Sequence, residues 1–202
     1  LIEGYTSDPI ELAQEWAEME AAVRATPTPF FFVPGNHDLG NQMMLDDWRK
    51  RRGEPYYAFT WKGALFVVLD TEDPPMDMPA DFARQFQQLT KAMKVDPVGA
   101  EAALRSALGG VNAAREKGTS DSTMKALEGA RFSQRQVAWA QDVLARHKDA
   151  RWTFVLMHKP AWALNSAEFT KIEQALGNRG YTVIAGHNHC YKYEQRNGRG
   201  PR

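Results

Sequence analysis

A chain of 202 residues is long enough to bury a substantial core, and a single domain spanning 1–202 is the default expectation. Lys plus Arg number 25 and Asp plus Glu number 25, so the formal net charge is zero and no basic field points to a nucleic-acid or anionic-membrane partner. The one cysteine, Cys190, rules out an intrachain disulfide, and no apolar run approaches the roughly 20 residues of a membrane span.

In chain order, Asp8 and Glu11 form a variant capping box with Pro9 at the first helical position. Leu12, Trp16, Met19 and Val23 follow at helical spacing, which predicts an amphipathic helix over 9–25. FFFV (30–33) is wholly apolar and reads as a short strand covered on both faces. YYAFT (56–60) and ALFVVLD (64–70) read as strands joined in a hairpin through Trp61, Lys62 and Gly63. From Pro74 to about Ala130, repeated prolines and the Gly109-Gly110 pair break up short helical patterns, so 74–130 reads as a helical insertion. Ser133 and Gln136 then make a capping box for a helix to about His147. WTFVLM (152–157) is a buried strand, 166–176 a helix stopped by Gly177, and YTVIA (181–185) a further strand. Strand, helix and strand with short links predict an α/β core. The tail YKYEQRNGRGPR reads as a strand and an Asn197-Gly198 turn with almost no returning arm.

Four of the five histidines, His37, His158, His187 and His189, come at once or within a few residues after an apolar strand. In open α/β sheets ligands gather at the carboxyl edge of the strands, so three strands would aim these side chains at one place. His187 and His189 lie two apart and would share one side of an extended segment, suited to one ion or to two neighbouring ions. Asn36 adds a neutral oxygen, and imidazole with amide and carboxylate oxygen suits Zn, Fe or Mn better than Ca. In isolation, Gly35-Asn36 reads as an ordinary turn and His158 as a core histidine. His147 ends a helix, where a cation suits the dipole. Cys190 reads as a small buried apolar residue, and Trp162 as either a pocket wall or a packing residue.

G-N-H-D at 35–38, H-K-P at 158–160 and G-H-N-H at 186–189 resemble the signatures of the calcineurin-like metallophosphoesterases, in the same chain order and strand context. Segments 56–72 and 132–160 also resemble that family. The likeness implies a four-layer α/β/β/α sandwich that carries two divalent metal ions, with Mn, Fe or Zn favoured. It implies that Asn36, His158 and His187 bind the second metal and that His189 binds the first. His37 is then the general acid beside the scissile phosphate, oriented and held cationic by Asp38, while a metal-bound hydroxide attacks phosphorus. The implied substrate is a small-molecule or protein phosphate ester, either a monoester or a diester.

The family's D-x-H and G-D motifs, which precede G-N-H-D in its members, have no counterpart before residue 35. LIEGYTSD (1–8) resembles the stretch directly after the family's G-D pair. The sequence therefore reads as a fragment that lacks the first strand, three metal ligands and the C-terminal strand or strands. Weak metal binding and slow turnover are expected of it. Two other readings stand beside this one: a family member that serves as a protein-binding scaffold, and an amide or lactone hydrolase built on the His-x-His pair. The second leaves Asn36 and the His37-Asp38 pair unexplained.

Overall fold

The computed structural model describes residues 1–77, 80–96, 98–99 and 128–195. Helix α1 (Pro9–Arg24) starts where Asp8, in extended conformation, accepts a hydrogen bond from the Ile10 amide, with Pro9 in the first turn. Glu11 does not close the expected box. Its carboxylate instead accepts from the Thr6 hydroxyl at 2.6 Å, and the Asp8 amide donates to that same hydroxyl oxygen at 3.0 Å.

Helix α2 (Gln42–Arg52), which the sequence pattern did not reveal, is capped by Asn41, whose side chain accepts from the Met44 amide at 2.9 Å. Gly53, at φ 83°, ends it. Helices α1 and α2 bury a small core of their own: Leu12 and Trp16 from one, Met44, Leu45 and Trp48 from the other, and Leu39 from the turn before α2. The Trp16 and Trp48 rings meet edge-on at 5.8 Å, and Arg52 lies over Phe32 with its guanidinium 4.0 Å from the ring centroid.

Strands β1 (Tyr57–Trp61) and β2 (Ala64–Val68) form the expected antiparallel hairpin. Its two-residue loop puts both Lys62 (φ 47°) and Gly63 (φ 77°) in the left-handed region, the turn whose twist matches that of the strands. Two parallel neighbours complete the four-stranded sheet, β3 (Trp152–Met157) beside β2 and β4 (Tyr181–Ala185) beside β3. Between β2 and β3 the chain passes through α3 (Ala80–Val95) and α4 (Gln134–Arg146); between β3 and β4 it passes through α5 (Ala167–Ala175).

Alternate residues decide which face is buried. Leu65, Val67 and Val155 point to the side covered by Val137, Ala140 and Leu144 of α4 and Phe169 and Ile172 of α5. The opposite face carries a row of stacked rings, Phe31–Phe59–Phe66–Phe154, with successive centroids 4.3, 4.9 and 5.0 Å apart. The mixed α/β class is the one expected, and the described residues contain one four-stranded sheet.

No strand forms at 30–33. Tyr57 donates its hydroxyl proton to the Phe32 carbonyl, but no ladder runs along this segment among the described residues, and Phe30 and Phe31 are exposed. The apolar run supplied the β pattern, while a strand also needs a neighbour to receive its amides and carbonyls. Segment 74–130 leaves and re-enters at one place: Glu72 and Arg131 form a parallel bridge, and the Arg131 amide donates to the Thr71 carbonyl at 2.9 Å. The Asn197-Gly198 turn lies outside the described residues.

Candidate active site

The parallel arrangement of β2, β3 and β4 brings their carboxyl ends to one edge. His158 comes directly after β3 and the 186–189 loop directly after β4, and the Gly186 amide ties the two by donating to the His158 carbonyl at 3.0 Å. The 35–38 turn joins them through Gly35: a Cβ placed there would lie 2.8 Å from the His158 ring, so only glycine lets the turn sit on that imidazole. Asp38 closes the turn, its amide donating to the Gly35 carbonyl and its carboxylate accepting from the Gly35 amide, both at 2.9 Å.

Asn36 follows directly on that glycine. Its Nδ2 donates to the Tyr5 hydroxyl oxygen, and its Oδ1 is buried without a hydrogen-bond partner among the described residues. An orphaned buried oxygen is costly unless something positive meets it. His158 Nε2 and His187 Nδ1 approach to 3.2 Å with their rings edge-on at 5.1 Å. Burial, followed by the neighbouring His187, pushes the His158 imidazole down to about 3, so it is neutral at physiological pH and able to offer a lone pair. One amide oxygen and two imidazoles fit a divalent ion of the Mn, Fe or Zn type. Among the described residues, no group of three or more His, Cys, Asp or Glu is arranged to hold a metal.

His37 is oriented from an unexpected side. Its Nδ1 lies 2.6 Å from the Glu3 carbonyl. A carbonyl only accepts, so Nδ1 carries the hydrogen and Nε2 is left as the reactive nitrogen. The carboxylate oxygens of Asp38, expected to orient His37, engage the amides of Gly35 and Ile2 and the Leu1 amine instead. Asp38 acts on His37 through its charge, which raises the imidazole pKa together with the Glu3 carbonyl. Burial outweighs both and sets it below its ordinary value, so the free imidazole is neutral rather than held cationic at pH 7.

The 187–189 segment also differs from expectation. His187 (φ 68°) and His189 (φ 50°) both adopt left-handed backbone, and the Asn188 amide folds back to the Gly186 carbonyl at 2.8 Å. The segment is a bent loop, so the two side chains do not share a side by strand alternation. His187 joins His158, whereas His189 is exposed, though near enough to His37 for their charges to repel. Cys190 is exposed, not buried, because it belongs to this same loop.

Below the imidazoles lies a charged cluster that sequence reasoning missed. Lys159, fully buried, sets its ammonium 2.8 and 3.0 Å from the two oxygens of Glu72, and Arg131 reaches the same carboxylate at 2.8 Å. Burial pushes the Glu72 carboxyl up and the Lys159 amine down, and their mutual attraction opposes both shifts. Asp70 is buried beside them. Its carboxylate accepts from the Glu72 amide at 2.7 Å, and Gln136 pairs with both its backbone amide and carbonyl. Burial raises the Asp70 carboxyl to about 8. The available signal was an acid at the end of one strand and a lysine just past the end of the next.

His147 caps α4 and bonds through Nδ1 to the Val143 carbonyl at 2.9 Å, in keeping with a structural role. Trp162 packs against the main core, 6.4 Å from the Phe169 ring.

A family model described as calcineurin-like phosphoesterase matches residues 4–191. No curated protein and no solved structure matches the chain significantly.

Proposed function

The chain belongs to the calcineurin-like phosphoesterase family, and we propose that it hydrolyses phosphate monoesters or diesters at the edge formed by Asn36, His37, His158 and His187. Family membership supports the coarse reading of metal-dependent phosphoester hydrolysis. What supports the finer one is the buried, unpartnered Asn36 Oδ1, one residue from the Gly35 that packs on the ring of His158, itself paired with His187.

In this reading Asn36, His158 and His187 hold one divalent ion, and the exposed loop residue His189 belongs to a second. When bound, such ions supply Lewis-acid neutralisation of phosphate charge and an activated water. Asn36 offers its amide oxygen, and His158, kept neutral by burial, offers a lone pair without first losing a proton. His37, fixed through Nδ1 on the Glu3 carbonyl, turns Nε2 toward the substrate. A phosphate anion arriving there raises the imidazole pKa, so His37 takes up a proton as substrate binds and delivers it to the leaving oxygen.

Hydrolysis of p-nitrophenyl phosphate and bis(p-nitrophenyl) phosphate, with and without added Mn²⁺, tests this reading against a panel of amides and lactones. Metal-stimulated release from a phosphate ester supports it. Turnover confined to amides or lactones, or release indifferent to metal, contradicts it. One observation favours the scaffold reading: the described residues lack a group of three or more His, Cys, Asp or Glu placed to hold a metal. A scaffold would show no metal-stimulated hydrolysis of any of these esters.

A further inference from the structure

Tyr5 sits in the left-handed region at φ 55°, directly after Gly4 at φ 69°. A bulky aromatic residue adopts that backbone rarely, and where it does the surroundings enforce it. Here they do so on three sides. Gly4 packs so tightly on the 35–38 turn that a Cβ on it would fall 1.7 Å from the His37 carbonyl oxygen, and its amide is held by the Glu15 carboxylate at 2.9 Å. The Tyr5 ring lies 4.6 Å from the His37 ring and fills the space over Gly40, where a Cβ would come within 2.9 Å of the ring. The Tyr5 carbonyl accepts from Gln87 of α3 at 3.4 Å. The phenol oxygen is thereby delivered to the Asn36 side chain, which donates Nδ2 to it.

An amide side chain has two unlike ends and rotates as a unit. Pinning one end decides what the other presents. With Nδ2 on the phenol, Oδ1 is the atom left buried and without a hydrogen-bond partner among the described residues. We propose that Tyr5 is a positioning residue, whose hydroxyl pins the Asn36 amide so that Oδ1, and not Nδ2, is the end left free for a ligand, one residue after the glycine that packs on the His158 ring. The metal-binding consequence rests on the function proposed above; the orientation of the amide does not. Groups that orient metal ligands from behind typically change affinity about 10- to 100-fold when removed.

Tyr5→Phe deletes the hydroxyl and keeps the ring against His37 and Gly40, so the fold is retained. The first readout needs no metal: the side-chain amide resonances of Asn36 by NMR in the full chain. The wild type should give two well-separated amide protons protected from solvent exchange, and Tyr5→Phe should bring them together and expose them. Unchanged resonances would overturn the proposal.

The second readout is Mn²⁺ affinity by calorimetry in a double-mutant cycle. Tyr5→Phe should weaken binding about 10-fold or more with Asn36 present. It should have little effect in the Asn36→Asp background, because a carboxylate presents oxygen from either arm and needs no pin. Equal losses in both backgrounds would mean that Tyr5 acts only by packing, and would overturn the proposal. If no variant binds Mn²⁺, the proposed function fails, and the amide resonances alone decide whether Tyr5 positions Asn36.

Discussion

His158 Nε2 and His187 Nδ1 stand 3.2 Å apart, and two imidazole nitrogens at that distance can share one proton but not hold two. The pair therefore resists protonation of both facing nitrogens, which favours the neutral imidazoles that metal ligation needs. The His158 imidazole is held down at about 3 by burial and by its neighbour. An NMR titration should show no change at His158 between about pH 5 and 8. His187→Ala should move its midpoint upward, though not to the ordinary value, because burial remains the larger cause. The depressed value also sets the sign for stability. The unfolded imidazole takes a proton near 6.5 that the folded one refuses, so this group's contribution is full above that pH and is lost as pH falls toward about 3.

Asp70 behaves in the opposite sense. Its carboxyl is raised to about 8 from an ordinary 3.8. Between those values the folded state holds a proton that the unfolded state has released, so stability falls as pH rises through the window, by up to about 1.4 kcal/mol per pH unit. Asp70→Asn keeps a carbonyl oxygen for the Glu72 amide and removes the titration. The variant should gain on the wild type in urea midpoint steadily from about pH 4 to 8 and hold a constant margin above that. A margin independent of pH would show that Asp70 is ionised throughout.

Among the described residues, Lys159→Met leaves the buried Glu72 carboxylate with Arg131 as its paired cation. Removing one partner of a buried pair typically costs ~3–5 kcal/mol, and Arg131 should keep this loss near the lower end. Adding Glu72→Gln should recover part of it, since the buried carboxylate is gone and the charge left behind, on Arg131, is part-exposed. Denaturant unfolding of the single and double variants measures both, and a double variant no more stable than Lys159→Met would contradict the account.

Gly35→Ala puts a methyl group 2.8 Å from the His158 ring, whose side chain must move. Metal-stimulated hydrolysis should fall more than ~10-fold while the unfolding midpoint changes little, because a displaced ligand costs affinity more than it costs packing. Parallel assays of turnover and thermal midpoint separate the two, and equal sensitivity of both would argue for a general loss of fold.

The sequence was most readable where pattern and surroundings agree. WTFVLM (152–157) and YTVIA (181–185) are strands over the expected residues, because apolar runs bounded by Arg151 and His158, or by Gly180 and Gly186, leave little alternative. FFFV (30–33) carries the same pattern without a ladder partner among the described residues, and pattern alone could not reveal that. Helix α2 was hidden although Asn41 and Gly53 mark its ends, since its last seven residues, DDWRKRR, are so polar that the buried Met44, Leu45 and Trp48 make no conspicuous stripe. Of the candidate site, the meeting of His158 and His187 was legible from strand ends, whereas the 35–38 turn reaches the His158 ring without the strand expected at 30–33. The left-handed turns at His187 and His189 were not legible, because nothing in His-x-His distinguishes a bent loop from an extended one. Nor was the Glu72–Lys159–Arg131 cluster, since charged residues read as solvent-facing until a partner far away in the sequence is found beside them.

The central claim is that Asn36, His158 and His187 form one ligand set. Calorimetric titration of Mn²⁺ into the full chain, and into Asn36→Ala and His158→Ala, tests it most directly. The account predicts saturable binding that weakens about 10-fold or more in each variant. Absence of saturable binding, or binding of equal strength in all three proteins, would contradict it.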